Sequence, residues 1–148
     1  MNAIKRLESE HKQLMESRLY GCSAGPSKDD IFIWNCIVMN TNSKSPYHNG
    51  IYKLIMKFNN DYPFKPPIIK CKTNIFHPNI KNTEICLDIL RDGWSPALNI
   101  EKVLISIASL LDDPNPNDPL NQEVATAYLN NYPLFFETAK TYNEKYAN

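Results

Sequence analysis

The runs Ile31-Phe32-Ile33-Trp34-Asn35-Cys36-Ile37-Val38-Met39 and Gly50-Ile51-Tyr52-Lys53-Leu54-Ile55-Met56-Lys57-Phe58 decide the fold. The first is dense in β-branched and aromatic residues. The second sets Tyr52, Leu54, Met56 and Phe58 against Lys53 and Lys57, the period of two that a half-buried strand requires. Ile68 to Thr73 is a shorter run of the same kind, and Tyr20 to Ala24 is a weaker one that stops at the turn signal Gly25-Pro26. Asn40 to Asn49 and Asn59 to Pro67 supply turns. Connections this short favour an antiparallel meander, because parallel neighbours need long crossovers.

Outward from these strands the pattern turns helical. Ile4, Leu7, His11, Leu14 and Arg18 share one stripe, which predicts an amphipathic helix opening the chain. Asn99 can cap a helix whose Ile100, Val103, Leu104, Ile107, Leu110 and Leu111 spread so widely round the axis that it should be largely buried. Three prolines between Asp112 and Pro119 forbid its continuation; Asn121 to Asn131 resumes the pattern, and Pro133 opens a last helix through Tyr146. The expected architecture is α+β: an N-terminal helix, a four-stranded antiparallel sheet, a central helix and two C-terminal helices, in one domain over residues 1–148.

At 148 residues, 43% hydrophobic and 22% charged, the chain can bury one substantial core and has no low-complexity segment. Its net charge of zero argues against nonspecific binding to nucleic acid or anionic membranes. The balance is uneven: residues 1–74 hold eleven basic and six acidic side chains, residues 75–148 five and ten. The first half therefore offers a basic face to an acidic protein partner. No apolar run is long enough to span a bilayer or serve as a signal peptide, so a soluble intracellular protein is expected. Cys22, Cys36, Cys71 and Cys86 form no CxxC pair and stand at no metal-ligand spacing with histidine, so no metal site is expected.

Between Thr73 and Asn99 no period holds, and so long an irregular stretch in a compact domain is more often functional than idle. It contains His77-Pro78-Asn79-Ile80, Ile85-Cys86-Leu87-Asp88-Ile89-Leu90 and Trp94-Ser95-Pro96-Ala97-Leu98. Upstream lies Tyr62-Pro63-Phe64-Lys65-Pro66-Pro67, whose first X-Pro bond can take the cis form. Downstream lie Asp113-Pro114-Asn115-Pro116 and Asp118-Pro119-Leu120. In this order and at this approximate spacing, over the whole chain, the strings resemble the ubiquitin-conjugating enzymes. The minimal, extension-free members that serve many ligases are closest, sharing Lys5-Arg6, Cys22-Ser23-Ala24-Gly25-Pro26 and Asp29-Asp30.

Acyl transfer through a thiol needs an accessible cysteine, a donor for the tetrahedral oxyanion and a group that readies the attacking amine. Cys86 lies in the loop, whereas the other three cysteines sit in or beside predicted strands. Glu84 and Asp88 flank it and no basic residue stands in its immediate sequence, which suits a carrier rather than a protease with a paired base. Asn79 can donate from its amide to an oxyanion or act as a turn-former after Pro78. Asp118 can orient an amine or serve as a turn carboxylate ahead of Pro119, and Asp88 can touch substrate at the site mouth or be a solvated charge. His77, with Pro78, reads best as a buried ring bracing the loop.

The resemblance implies that Cys86 accepts ubiquitin from the activating enzyme as a thioester and passes it to a substrate lysine with a RING-type or HECT-type ligase. No cofactor is implied, because the activating enzyme consumes the ATP. Lys5, Arg6, Phe64, Ser95, Pro96 and Ala97 match the docking face for ligase and activating enzyme, Ile105 and Ser109 the helix surface under the carried ubiquitin, and Ser23 a second contact on the back of the sheet. A monomer, cytoplasmic and nuclear, is expected. Two departures stand out. Six residues separate Asn79 from Cys86 where the family usually has seven, and the usual glycine before Cys86 is missing, a turn that Asn82 could take at some cost. Glu16 to Gly21 also replaces the family's proline-rich element after the first helix. An idle ubiquitin-binding module of the same fold, a carrier of another ubiquitin-like modifier and a thiol hydrolase are the alternatives.

Overall fold

The computed structural model describes residues 2–148. In chain order the elements are α1 (Ala3–Ser17), β1 (Cys22–Pro26), β2 (Ile33–Met39), β3 (Ile51–Lys57), β4 (Ile68–Cys71), β5 (Ile80–Lys81), β6 (Glu84–Ile85), a 3₁₀ turn (Asp88–Leu90), α2 (Ile100–Asp112), α3 (Gln122–Asn130) and α4 (Tyr132–Tyr146). The sheet order is β1-β2-β3-β4-β6-β5 and all pairings are antiparallel. The α+β class, the helices and the meander agree with the sequence. The expected count of four strands does not, since the sheet has six. The added pair, β5 and β6, has two residues per strand, too few to display a period, and β6 is joined to β4 by the pairing of Lys70 with Glu84.

Register follows the alternation. Trp34, Cys36 and Val38 on β2 face Met56, Leu54 and Tyr52 on β3 across the ladder, and all six side chains are buried. Val103, Leu104 and Ile107 of α2 join them in one core. Each helix starts on an asparagine whose side chain accepts from a backbone N–H: Asn2 from Lys5, Asn99 from Lys102, Asn121 from Val124 and Asn131 from Leu134. The tyrosine hydroxyl of Tyr52 meets Asn143 on α4, and Asn143 donates to the His48 carbonyl at 3.1 Å, tying the last helix to the turn before β3.

On α1 the buried stripe is Ala3, Leu7 and Glu10, with Leu14 packed against the core, while Ile4 and Arg18 are exposed. The stripe is thus rotated from the predicted one and carries an acid. Glu10 accepts from Arg6 Nε at 2.8 Å, from the Tyr62 hydroxyl at 2.5 Å and from the Ile100 N–H at 2.7 Å. A carboxylate on the first helix therefore caps the first free N–H of the central helix, where its negative charge also meets the positive end of the helix dipole.

Candidate functional site

The residues between His77 and Cys86 form one tight device. His77 is fully buried; its Nδ1 accepts from the Asn79 N–H at 2.9 Å and its Nε2 lies 2.8 Å from the Leu110 carbonyl. With one nitrogen accepting and the other facing a carbonyl, the ring is the neutral tautomer protonated on Nε2. Burial pushes its pKa down to about 4, against a smaller upward pull from the Leu110 carbonyl. His77 thus braces the loop against α2, as the sequence suggests, and has no nitrogen left to act as a base for a thiol.

Beyond Pro78, also buried, the chain makes the β5-β6 hairpin with Ile80 opposite Ile85 and Lys81 opposite Glu84. Asn82 takes φ 59°, the left-handed turn conformation that the missing glycine would have supplied. The ladder runs one step further, because the Cys86 N–H donates to the Asn79 carbonyl at 2.9 Å. The short Asn79–Cys86 segment therefore closes as a complete hairpin and sets Asn79 and Cys86 side by side.

The Asn79 side chain is fully engaged. Its amide donates to the Asn115 carbonyl at 2.9 Å and to the Asp118 carbonyl at 3.2 Å, and its Oδ1 accepts from the Asn115 N–H at 2.8 Å. It clamps the proline-rich segment after α2 against the hairpin; the Leu120 and Asn121 N–H groups on the Pro78 carbonyl, both at 2.9 Å, do the same from the backbone. Cys86, Asn79, Asp88 and Asp118 thereby line one shallow cleft, with Leu87, Leu110 and Asn115 completing its wall. The structure brings together the four residues singled out in the sequence. Asp88 and Asp118 are exposed, so their carboxylates are open to an incoming group.

The other thiols differ in kind. Cys36 and Cys71 are buried in the sheet, burial pushes Cys36 up to about 12 with help from the Cys22 charge, and Cys71 is raised by burial as well. Cys22 is half-buried and also raised by burial. Cys86 faces the cleft, and the Arg91 guanidinium donates to its Sγ at 2.8 Å. Sequence reading missed Arg91, although it is the one basic side chain between Lys81 and Lys102.

A second surface lies beside the first helix. Phe64 is 75% exposed, and the Trp94 indole donates to the Pro63 carbonyl at 2.8 Å, joining the Phe64 turn to the exposed Ser95, Pro96 and Ala97. The Tyr62-Pro63 bond there is cis. Arg6 donates to the Pro96 carbonyl at 3.2 Å and the Leu98 carbonyl at 2.9 Å, so it is half-buried structure, while Lys5 is exposed. Ile105 and Ser109 share the exposed face of α2, and Ser23 is exposed on β1, distant in the sheet order from the β5-β6 hairpin. Among the described residues no group of three or more His, Cys, Asp or Glu side chains could hold a metal, and no helix is long and apolar enough to cross a membrane.

His77 makes acid stability testable. The unfolded chain protonates this ring near its ordinary 6.5, whereas the folded protein keeps it neutral down to about 4. Between those values the unfolded state binds the extra proton, so the contribution is intact above about pH 6.5 and is lost as pH falls, by about 3 kcal/mol in all. Urea unfolding from pH 7 to 4 should show this slope in the wild type and a shallower one in His77→Gln; equal slopes would contradict it.

The model for the family described as ubiquitin-conjugating enzyme matches residues 6–143. Among solved structures, the E2 domain of a Toxoplasma gondii ubiquitin conjugating enzyme is similar, with a TM-score of 0.90 and 40% identity over 97% of this chain and 98% of that one.

Proposed function

Because the chain belongs to the ubiquitin-conjugating enzyme family, we propose that Cys86 is the residue that carries ubiquitin. It accepts the ubiquitin C-terminal carbonyl from the activating enzyme by thioester exchange, and a substrate lysine then takes the acyl group with a ligase aligning the two. The observation that carries this reading is the hairpin geometry: of the four cysteines, Cys86 alone lies in a cleft with Asn79, Asp88 and Asp118.

Asn79 acts here as a positioning residue. Both amide hydrogens meet carbonyls of the Asn115–Asp118 segment, so its contribution is to hold that segment, and with it the Asp118 carboxylate, at the cleft. Asp118 then orients the attacking amine and accepts its proton, and Asp88 contacts substrate at the mouth. No cofactor is needed on this chain, since the chemical energy arrives in the activated thioester.

Incubation with activating enzyme, ATP and ubiquitin should yield an adduct that reductant removes. No adduct, with an activating enzyme competent toward another carrier, would overturn the reading in favour of a binding-only module or a different modifier. A thiol hydrolase is disfavoured by the engagement of both His77 nitrogens.

Phe64, with Ser95, Pro96, Ala97 and Lys5, forms the ligase-docking face, and the activating enzyme uses the overlapping α1 surface, so loading and discharge occur in separate encounters. Ile105 and Ser109 support the carried ubiquitin, and Ser23 meets a second one on the back of the sheet. Truncating an exposed aromatic anchor at such a face costs about 2 kcal/mol of binding. Phe64→Ala should therefore cut ligase-stimulated discharge by about tenfold or more at subsaturating ligase while leaving the melting temperature unchanged, since the ring is 75% exposed. Undiminished stimulation across several ligases would remove Phe64 from the docking face.

A further inference from the structure

We propose that Arg91 is a catalytic residue at Cys86, donating a charged hydrogen bond to its sulfur whenever that sulfur is anionic. The inference rests on the reading of Cys86 as the ubiquitin carrier and deepens it. Its basis is the contact of the guanidinium with Sγ at 2.8 Å and the backbone that places it there.

The 3₁₀ turn after Cys86 folds back on itself. The Asp88 carbonyl accepts from the Arg91 N–H at 3.0 Å and from the Gly93 N–H at 3.2 Å, and the Trp94 N–H donates to the Arg91 carbonyl at 3.2 Å. A Cβ at Gly93 would stand 3.1 Å from that same Asp88 carbonyl, so the small residue lets the turn close this tightly. Arg91 is thereby returned over the residue five positions before it. The charge pattern makes the cation specific to this job. Glu84, Asp88 and Asp92 crowd the segment with negative charge, and Arg91 is the only basic side chain between Lys81 and Lys102.

Sulfur bears charge at two points of the proposed cycle. In loading, the Cys86 thiolate attacks the thioester carbonyl carbon; a carbon–sulfur bond to Cys86 forms as the bond to the activating enzyme's sulfur breaks. In discharge, the lysine nitrogen attacks that carbon, a carbon–nitrogen bond forms, and the carbon–sulfur bond breaks with its electron pair left on Cys86 Sγ while the amine gives up a proton. An N–H donor of fixed positive charge favours the anionic sulfur in both steps. Asp118 and Asn79 serve the amine side of the same reaction, and Arg91 serves the sulfur side.

The test uses the full chain and needs no ubiquitin in its first arm. Wild type, Arg91→Ala and Arg91→Lys are treated with iodoacetamide at pH 7, and alkylation of each cysteine is followed by mass spectrometry. Arg91→Ala should slow alkylation at Cys86 about three- to tenfold, the size of one exposed charged hydrogen bond. Arg91→Lys should recover most of that loss, and 1 M salt should narrow the gap between wild type and Arg91→Ala. Alkylation of buried Cys36 and Cys71 should stay unchanged, because a loosened fold would raise it. In the second arm, thioester preformed on each variant is discharged with free lysine, and Arg91→Ala should be slower by a similar factor.

Equal alkylation of wild type and Arg91→Ala would overturn the proposal, as would a lysine variant no better than alanine or an unchanged rate of discharge. Failure of the carrier reading looks different: the wild type would not load at all, while the alkylation arm would still report the Arg91 contact.

Discussion

Cys86→Ala should form no adduct with ubiquitin, and Cys86→Ser should form one that reductant does not remove. Both follow from the proposed role of the Cys86 sulfur as the acyl-bearing atom. Alanine has no nucleophile, so loading should fall by more than about a thousandfold, the scale on which removal of an attacking group is felt in other acyl-transfer enzymes. Serine keeps an attacking atom at the same point of the cleft, but its hydroxyl is far less ionised than a thiol and, once acylated, is a poorer leaving group. A slowly formed, persistent ester is the expected product. The remaining thiols should not rescue either variant: Cys36 and Cys71 are buried in the sheet, Cys22 is half-buried on β1 outside the Cys86 cleft, and burial raises the pKa of all three, that of Cys36 to about 12. Gel electrophoresis with and without reductant reads all three states. A reductant-labile adduct of undiminished yield on Cys86→Ser would place the carrier thiol elsewhere in the chain.

Glu10→Ala should cost about 3–5 kcal/mol of folding stability, the range found when one partner of a buried ion pair is removed. The loss has three parts. The Ile100 N–H at the start of α2 is left without an acceptor, the buried Tyr62 hydroxyl loses its partner, and Arg6 keeps its charge without the carboxylate 2.8 Å away. For a domain of this size the melting temperature should drop by about 10 °C or more. Glu10→Gln retains a carbonyl that can still cap α2 and should lose less, which separates the cap from the ion pair. A thermal shift near zero for the alanine variant would show that the network contributes nothing net. Because Arg6 also holds the Pro96 and Leu98 carbonyls, the alanine variant should lose ligase-stimulated discharge as well as stability.

The ease of reading the fold varied with how local its causes are. β3 is legible because alternation along seven residues states which side faces the core, and β2 because its β-branched and aromatic residues favour an extended strand. The start of α2 is legible because an asparagine ahead of a periodic run satisfies backbone donors within its own turn. α1 was misaligned by one face: hydrophobicity favoured Ile4, while packing buried Ala3 and Glu10 instead. Its acid looks like surface until Tyr62 and Ile100 are brought against it, from 52 and 90 residues away.

At the cleft, the amino-acid sequence by itself determined which residues were worth attention. The His77-Pro78-Asn79 and Cys86-Leu87-Asp88 strings, the proline-rich Asp113–Pro119 segment and the missing glycine before Cys86 are all matters of residue type and spacing. Tertiary structure alone decided that Asn79 spends its amide on the Asn115 and Asp118 carbonyls, that the Cys86 N–H extends the β5-β6 hairpin to the Asn79 carbonyl, and that Arg91 turns back onto the thiol. The physical reason is that a hydrogen-bonding group in a sequence has many prospective partners. Which one it takes depends on the distances and desolvation set once distant segments have packed, and no periodicity along the chain encodes them.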